Sequence, residues 1–185
     1  MSGVNLDSSA QLKKDIDVAS ETGQIDFLSW YRSFATKTRD KTLSLLNGLN
    51  EQDFIWRPRH DARPIAWLLW HIGECEESVL WEYYRQEPIY RFRISCTESP
   101  FENLPTKEAL LEYLKSVRTA FWAFVDNLSA DLLSQPIETT RFSRLPLQDL
   151  LLLPIHHEIH HAGQISYIRR LMGKPLPEPV GAKNA

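Results

Sequence analysis

The chain has 185 residues, enough for one domain with a sizeable core, and 43% hydrophobic against 24% charged residues excludes wholesale disorder. Its 21 basic and 24 acidic side chains leave a net charge of −3, so the basic surplus of a general nucleic-acid binder is missing and no nucleic-acid partner is expected. No apolar run approaches the roughly 18 residues of a membrane span, and no membrane partner is expected.

Residues 1–22 mix charged and small polar side chains and lack the apolar centre of a signal peptide. They are expected to form a flexible N-terminal segment. From Ile25 to Leu46, apolar residues at Phe27, Leu28, Tyr31, Phe34 and Ala35 recur at offsets near three and four. That spacing predicts an amphipathic helix ending at Asn47-Gly48. A loop, Trp56 to Arg63, then carries Arg57, Arg59, Arg63 and a histidine. The second helix is predicted over Pro64 to Tyr84. Pro64 suits the first position, where its missing donor would be orphaned anyway. Gln86 to Pro105 shows no helical period and reads as a long connection, with a short extended piece over Tyr90 to Cys96. The third helix is predicted from Thr106, a side-chain N-cap without a full capping box, to Leu128. After a second connection, Ser129 to Leu145, the fourth runs from Pro146 to Met172 and stops at Gly173. Pro154 stands inside it, where it cannot donate to the carbonyl of Leu150, so a kink is expected. Residues 23–174 thus form an all-α four-helix bundle with a long crossover, and residues 175–185 a loose tail. Only seven glycines argue against a turn-rich all-β alternative. The two cysteines, Cys75 and Cys96, permit no disulfide framework and are expected to be reduced thiols in a cytoplasmic protein.

Four of the six histidines lie within Ile155-His156-His157-Glu158-Ile159-His160-His161. They form two i, i+4 pairs, His156 with His160 and His157 with His161. Residues so spaced stand one above the other on a helix, and both imidazoles can reach one ion. Ile165 and Ile168 continue the stripe of His157 and His161, so that pair is expected to face inward. Arg169 and Arg170 are placed near the other side. His71, in the apolar segment Trp67-Leu68-Leu69-Trp70-His71-Ile72, supplies a third histidine. Three histidine ligands leave coordination positions for water or substrate, as at catalytic rather than closed structural sites. The zincin arrangement His-Glu-x-x-His is absent.

Other residues carry two readings each. Glu74, Glu76 and Glu77 read as a solvated charge run, with Glu74 also a candidate catalytic group or a partner that orients a ligand histidine. Gln164, three residues past His161, is a candidate hydrogen-bond partner within the site. Cys75 is either a packed core thiol or a fourth soft ligand. Arg57, Arg59 and Arg63 are either plain loop charge or a cofactor-binding rim for an anion. Trp67, Trp70, Trp81 and Trp122 read as core.

Trp56-Arg57-Pro58, Pro64-Ile65-Ala66-Trp67-Leu68-Leu69-Trp70-His71-Ile72 and His157-x-x-x-His161-x-Gly163-Gln164-Ile165-x-x-x-Arg169 together resemble the DinB-like superfamily (the DinB/YfiT type) over about Ile25 to Gly173. That group includes metal-dependent hydrolases, bacillithiol and mycothiol S-transferases, a mycothiol-dependent maleylpyruvate isomerase and a domain of sulfoxide synthases. The resemblance implies a four-helix bundle, often a homodimer, with one divalent metal ion (zinc, nickel, manganese or iron) on His71, His157 and His161. It does not imply DNA binding. The extra His156 and His160, and Pro154 in the helix, depart from its pattern. The function expected from it is transfer of a low-molecular-weight thiol to an electrophilic small molecule. A metal-dependent hydrolase and a non-enzymatic, stress-related metal-binding bundle are the alternatives.

Overall fold

The computed structural model describes residues 26–84, 104–140 and 144–177. The chain divides into two units, Met1–Phe34 and Ala35–Ala185. Its elements, in order, are α1 (Phe27–Ser44), α2 (Glu51–Ile55), α3 (Ile65–Tyr84), α4 (Lys107–Val125), α5 (Ala130–Leu133), β1 (Pro136–Ile137), β2 (Leu145–Pro146) and α6 (Leu147–Leu171). The fold is all-α, as the periodicity predicts. The pair of two-residue strands is its one departure among the described residues, antiparallel with Ile137 opposite Leu145. The segment with the Tyr90–Cys96 piece, the N-terminal residues 1–25 and the end of the tail lie outside the described residues.

The first described turns of α1 carry an aromatic ladder at helical spacing, Phe27 with Tyr31 at 5.8 Å and Trp30 with Phe34 at 5.5 Å between ring centroids. In the second unit, residues 35–44 of α1 join α3, α4 and α6 around a common core. Leu45, Phe54, Ile65, Trp67, Leu69, Leu110, Tyr113 and Ile165 are among its buried members. Helix α3 is the central element: every residue from Ile65 to Trp70 is buried. A helix apolar on all sides packs on more than one neighbour, and α3 meets both α4 and α6.

The helix ends follow from local chemistry. Thr106 caps α4 through its hydroxyl, which accepts from the Ala109 amide at 3.2 Å, as expected. Gly173 closes α6 at φ 71°, a left-handed conformation that glycine adopts without steric cost. Pro64 precedes α3 rather than opening it, and its carbonyl accepts from the Leu68 amide at 3.2 Å. The short α2 is absent from the periodicity because five residues are too few to show one. Its Asn50 and Asp53 nevertheless form a reciprocal capping box at 2.9 and 3.1 Å.

Two charged groups depart from their sequence reading. Arg169, expected near the outer side of its helix with Arg170, is buried. Its guanidinium donates to the carbonyls of Leu45 (2.6 Å), Asn47 (2.8 Å) and Pro175 (2.6 Å), supplying donors that the end of α1 lacks. The Glu74–Glu77 run is not a solvated face either. Glu76 is 2% exposed, and Glu77 accepts a 2.7 Å hydrogen bond from the Tyr113 hydroxyl. Glu76 belongs to a buried quartet with one member from each long helix: Arg39 (α1), Glu76 (α3), Arg118 (α4) and Glu158 (α6). Arg39 pairs with Glu158 at 2.7 Å and Glu76 at 3.3 Å; Arg118 pairs with Glu76 at 2.5 Å and Glu158 at 3.0 Å. Burial works against the Arg39 charge, but the two carboxylates outweigh it and hold the guanidinium more firmly protonated than usual.

Candidate metal centre

Helix α3 brings in His71, and one face of α6 brings in His157 and His161. Their ring centroids lie 4.6 Å (71 to 157), 5.1 Å (71 to 161) and 4.3 Å (157 to 161) apart. Each offers one nitrogen, and the three nitrogens lie within 4.8 Å of one another, so the group could hold a metal ion. His161 is buried and His157 half-buried, while His156 and His160 are exposed. The inward pair is therefore the one that continues the apolar stripe. Pro154 lies buried inside α6, which continues through it as one helix.

Hydrogen bonding decides which nitrogen each ring presents. His71 donates from Nδ1 to Glu74 Oε2 at 2.6 Å, and His161 donates from Nδ1 to Gln164 Oε1 at 2.7 Å. Both partners are oxygens, which only accept. In each ring Nδ1 is thus taken up, and Nε2 is the nitrogen left to act as a ligand. The Nε2 atoms of His157 and His161 are 3.1 Å apart. Two nitrogens bound at about 2.0–2.1 Å to one ion would be separated by roughly 2.9 Å at a right angle and about 3.4 Å at a tetrahedral angle. The observed spacing falls between, so this pair could share one metal ion. Buried Nδ1 of His157 has no hydrogen-bond partner, so this ring is the one not oriented from behind.

The electrostatics favour the same use. Burial first, and the neighbouring His161 and His71 next, push the His157 pKa down to about 4. Burial also lowers that of His161. Both rings are neutral at pH 7, which is the form that coordinates a metal.

The remaining sequence candidates divide. Glu74 and Gln164 touch the triad directly. Cys75 is half-buried and not part of the ligand group; Cys96 lies outside the described residues. Of the loop arginines, Arg57 donates to the His60 carbonyl at 2.5 Å and Arg59 pairs with Asp61 at 3.1 Å. Arg63 lies over the Trp67 ring at 4.1 Å, and Trp67 in turn lies 4.5 Å from His71. Trp67 and Trp70 are core residues, whereas Trp81 and Trp122 are half-buried.

The DinB superfamily matches residues 35–165, well over half of the sequence, and the chain belongs to that family. Solved structures share the fold. A conserved protein from Enterococcus faecalis superposes with a TM-score of 0.69 at 16% identity, over 82% of this chain and 100% of that one. A DinB-like protein from Bacillus cereus gives 0.64 at 18% identity, over 80% and 95%. A DinB-like protein from Bacillus subtilis gives 0.55 at 20% identity, over 83% and 96%. No curated protein matches the sequence. Among the described residues, no helix is long and apolar enough to cross a membrane.

Proposed function

We propose that this chain is a divalent-metal enzyme that transfers a low-molecular-weight thiol to an electrophilic small molecule. The observation that carries the metal part is the convergence of three histidines, two of them held at Nδ1 so that Nε2 is left to act as a ligand. His71, His157 and His161 would hold the ion, and a three-residue set leaves positions open to a ligand. When bound, such an ion supplies Lewis acidity that lowers the pKa of a coordinated thiol or water. Glu74 and Gln164 fix the tautomers and ring angles of His71 and His161. The apolar wall of Trp67 and Trp70 beside His71 keeps bulk water from that flank.

The thiol reaction draws on the family's known transferases. Hydrolysis, the rival, needs a base free to activate water. Glu74 is the carboxylate nearest to hand, and one of its oxygens is committed to His71 at 2.6 Å. That commitment supports an orienting role for Glu74 and weighs towards the thiol reading.

The test uses untagged full-length protein. Elemental analysis should find about one divalent ion per chain, and none in His71→Ala. A panel of low-molecular-weight thiols with aryl chloride, epoxide and enone electrophiles should show thiol consumption that depends on the ion and disappears in the same variant. Ester cleavage without thiol would transfer the assignment to hydrolysis. A metal that raises the melting temperature while no substrate turns over would make the bundle non-enzymatic.

A further inference from the structure

Beside the triad, the loop before α3 and the outer flank of α6 enclose an open cleft of about 700 Å³. That volume lies within the range of small-molecule sites, roughly 300–1,000 Å³. Leu68, Tyr167 and Leu171 supply apolar wall, and Arg63, His160 and Gln164 supply polar groups.

The charges in this cleft are not equivalent. Asp61 is on the rim, but Arg59 holds both its oxygens, at 3.1 and 3.2 Å. That pair cancels itself. Arg63 is different: its guanidinium carbon lies over the Trp67 ring at 4.1 Å, and among the described residues no carboxylate pairs with it. The stacking pre-organises the planar cation while leaving its edge donors available. Gln164 links the cleft to the triad, donating from Nε2 to His160 Nε2 at 3.1 Å while its Oε1 accepts from His161. Trp67 makes a second link, touching Arg63 on one side and His71 on the other.

We propose that this cleft is the binding place for a carboxylate-bearing small molecule, its carboxylate on Arg63 and its apolar body against Tyr167, Leu68 and Leu171. The cleft's role in turnover rests on the enzymatic reading above, whereas its preference for an anion needs neither ion nor thiol. A carboxylate offers two acceptor oxygens that match the guanidinium fork. A molecule held there has its carboxylate end one side chain, Trp67, away from His71.

A matched pair of probes tests it: 4-phenylbutyrate and its neutral counterpart 4-phenylbutanol, titrated into the full chain and followed by two-dimensional NMR. The acid should bind about five-fold more tightly than the alcohol, as expected for one solvent-accessible charge contact. It should shift the amides of Ala62, Arg63, Gly163 and Gln164. Arg63→Gln should equalise the two probes, and Arg63→Lys should keep part of the preference. His71→Ala should retain the preference in full although it loses the ion, which separates this proposal from the enzymatic one. Equal binding of the two probes, no binding of either, or an undiminished preference in Arg63→Gln overturns it.

Discussion

Two polar clusters lie inside the same bundle and share two helices, yet they are built on opposite terms. The quartet of Arg39, Glu76, Arg118 and Glu158 is charged, and its charges cancel across distances of 2.5 to 3.3 Å. The triad of His71, His157 and His161 has no such pairing of opposite charges among its own members, and the Nε2 atoms of His157 and His161 stand 3.1 Å apart. Glu158 follows His157 directly, so adjacent residues on α6 serve the two clusters. A buried polar group is stable when its partners are supplied by the protein. The quartet answers each charge with an opposite one from another helix and so ties the helices together. The triad meets that condition only on the Nδ1 side of two rings, which leaves it disposed to take a ligand. What separates the two clusters is therefore charge pairing, complete in the quartet and absent from the three facing imidazoles, and not burial.

The comparison predicts a separation of phenotypes. Glu158→Gln removes one charge from the quartet and leaves two guanidiniums facing a single carboxylate. Stability should fall by about 3–5 kcal/mol in denaturant unfolding, the cost of breaking a buried pair on one side. The affinity of the remaining folded protein for zinc should change little. A large fall in affinity together with stability would merge the two clusters into one unit.

Glu74→Gln should do the reverse. The amide cannot anchor the His71 Nδ1–H as firmly as a carboxylate, so zinc affinity should drop about 10–100-fold, or roughly 1.4–2.7 kcal/mol, by competition titration against a chelator. The metal-free melting temperature should stay close to that of the native chain.

Gly73→Ala probes the part of α3 between the clusters. A Cβ there would lie 2.5 Å from Cε1 of Tyr113. Tyr113 is fully buried and its hydroxyl is tied to Glu77, so the ring has little room to retreat. Alanine gains about 1 kcal/mol of helix propensity, but overpacking a filled core costs about 1–3 kcal/mol. The variant should be destabilised by about 1 kcal/mol in urea unfolding; a stabilised variant would show that Tyr113 moves freely.

The last effect concerns pH in the metal-free protein. The folded pKa of His157 is pushed down to about 4 from its ordinary value near 6.5. Between those values the unfolded chain binds more protons, so stability rises with pH. It should be fully present above pH 6.5 and decline as the pH falls from there towards 4. His157→Asn should flatten part of that slope in urea titrations at a series of pH values. An unchanged slope would remove His157 from the acid response.

The grouping of the three histidines was legible in the sequence because it leaves a local signature: two i, i+4 histidine pairs, an apolar stripe to choose between them, and one histidine in an otherwise apolar segment. The Thr106 cap and the Gly173 stop were legible for the same local reason. The quartet was not, because each of its charges is answered from another helix. Glu76 looks like part of an acidic run, and only packing against α1 and α4 turns it inward. Glu158 did carry a signal. It lies three residues past Ile155 and four before Ala162, on the line Leu151, Ile155, Glu158, Ala162, Ile165, all of them buried. A charge in the middle of such a line requires a buried partner. Arg169 extends that line by four residues, and proximity to Arg170 hid its inward position.

The quartet also bears on how the helices find their places. Turning any one of the four by a single residue rotates its side chains by about 100°, which carries that helix's charge out of the quartet. The three charges left behind cannot balance, and each remains shielded from water. Misaligned bundles that bury the same apolar surface are thereby penalised relative to the native one, so the four residues proofread assembly, and one such residue on each long helix is the smallest set that checks all four at once.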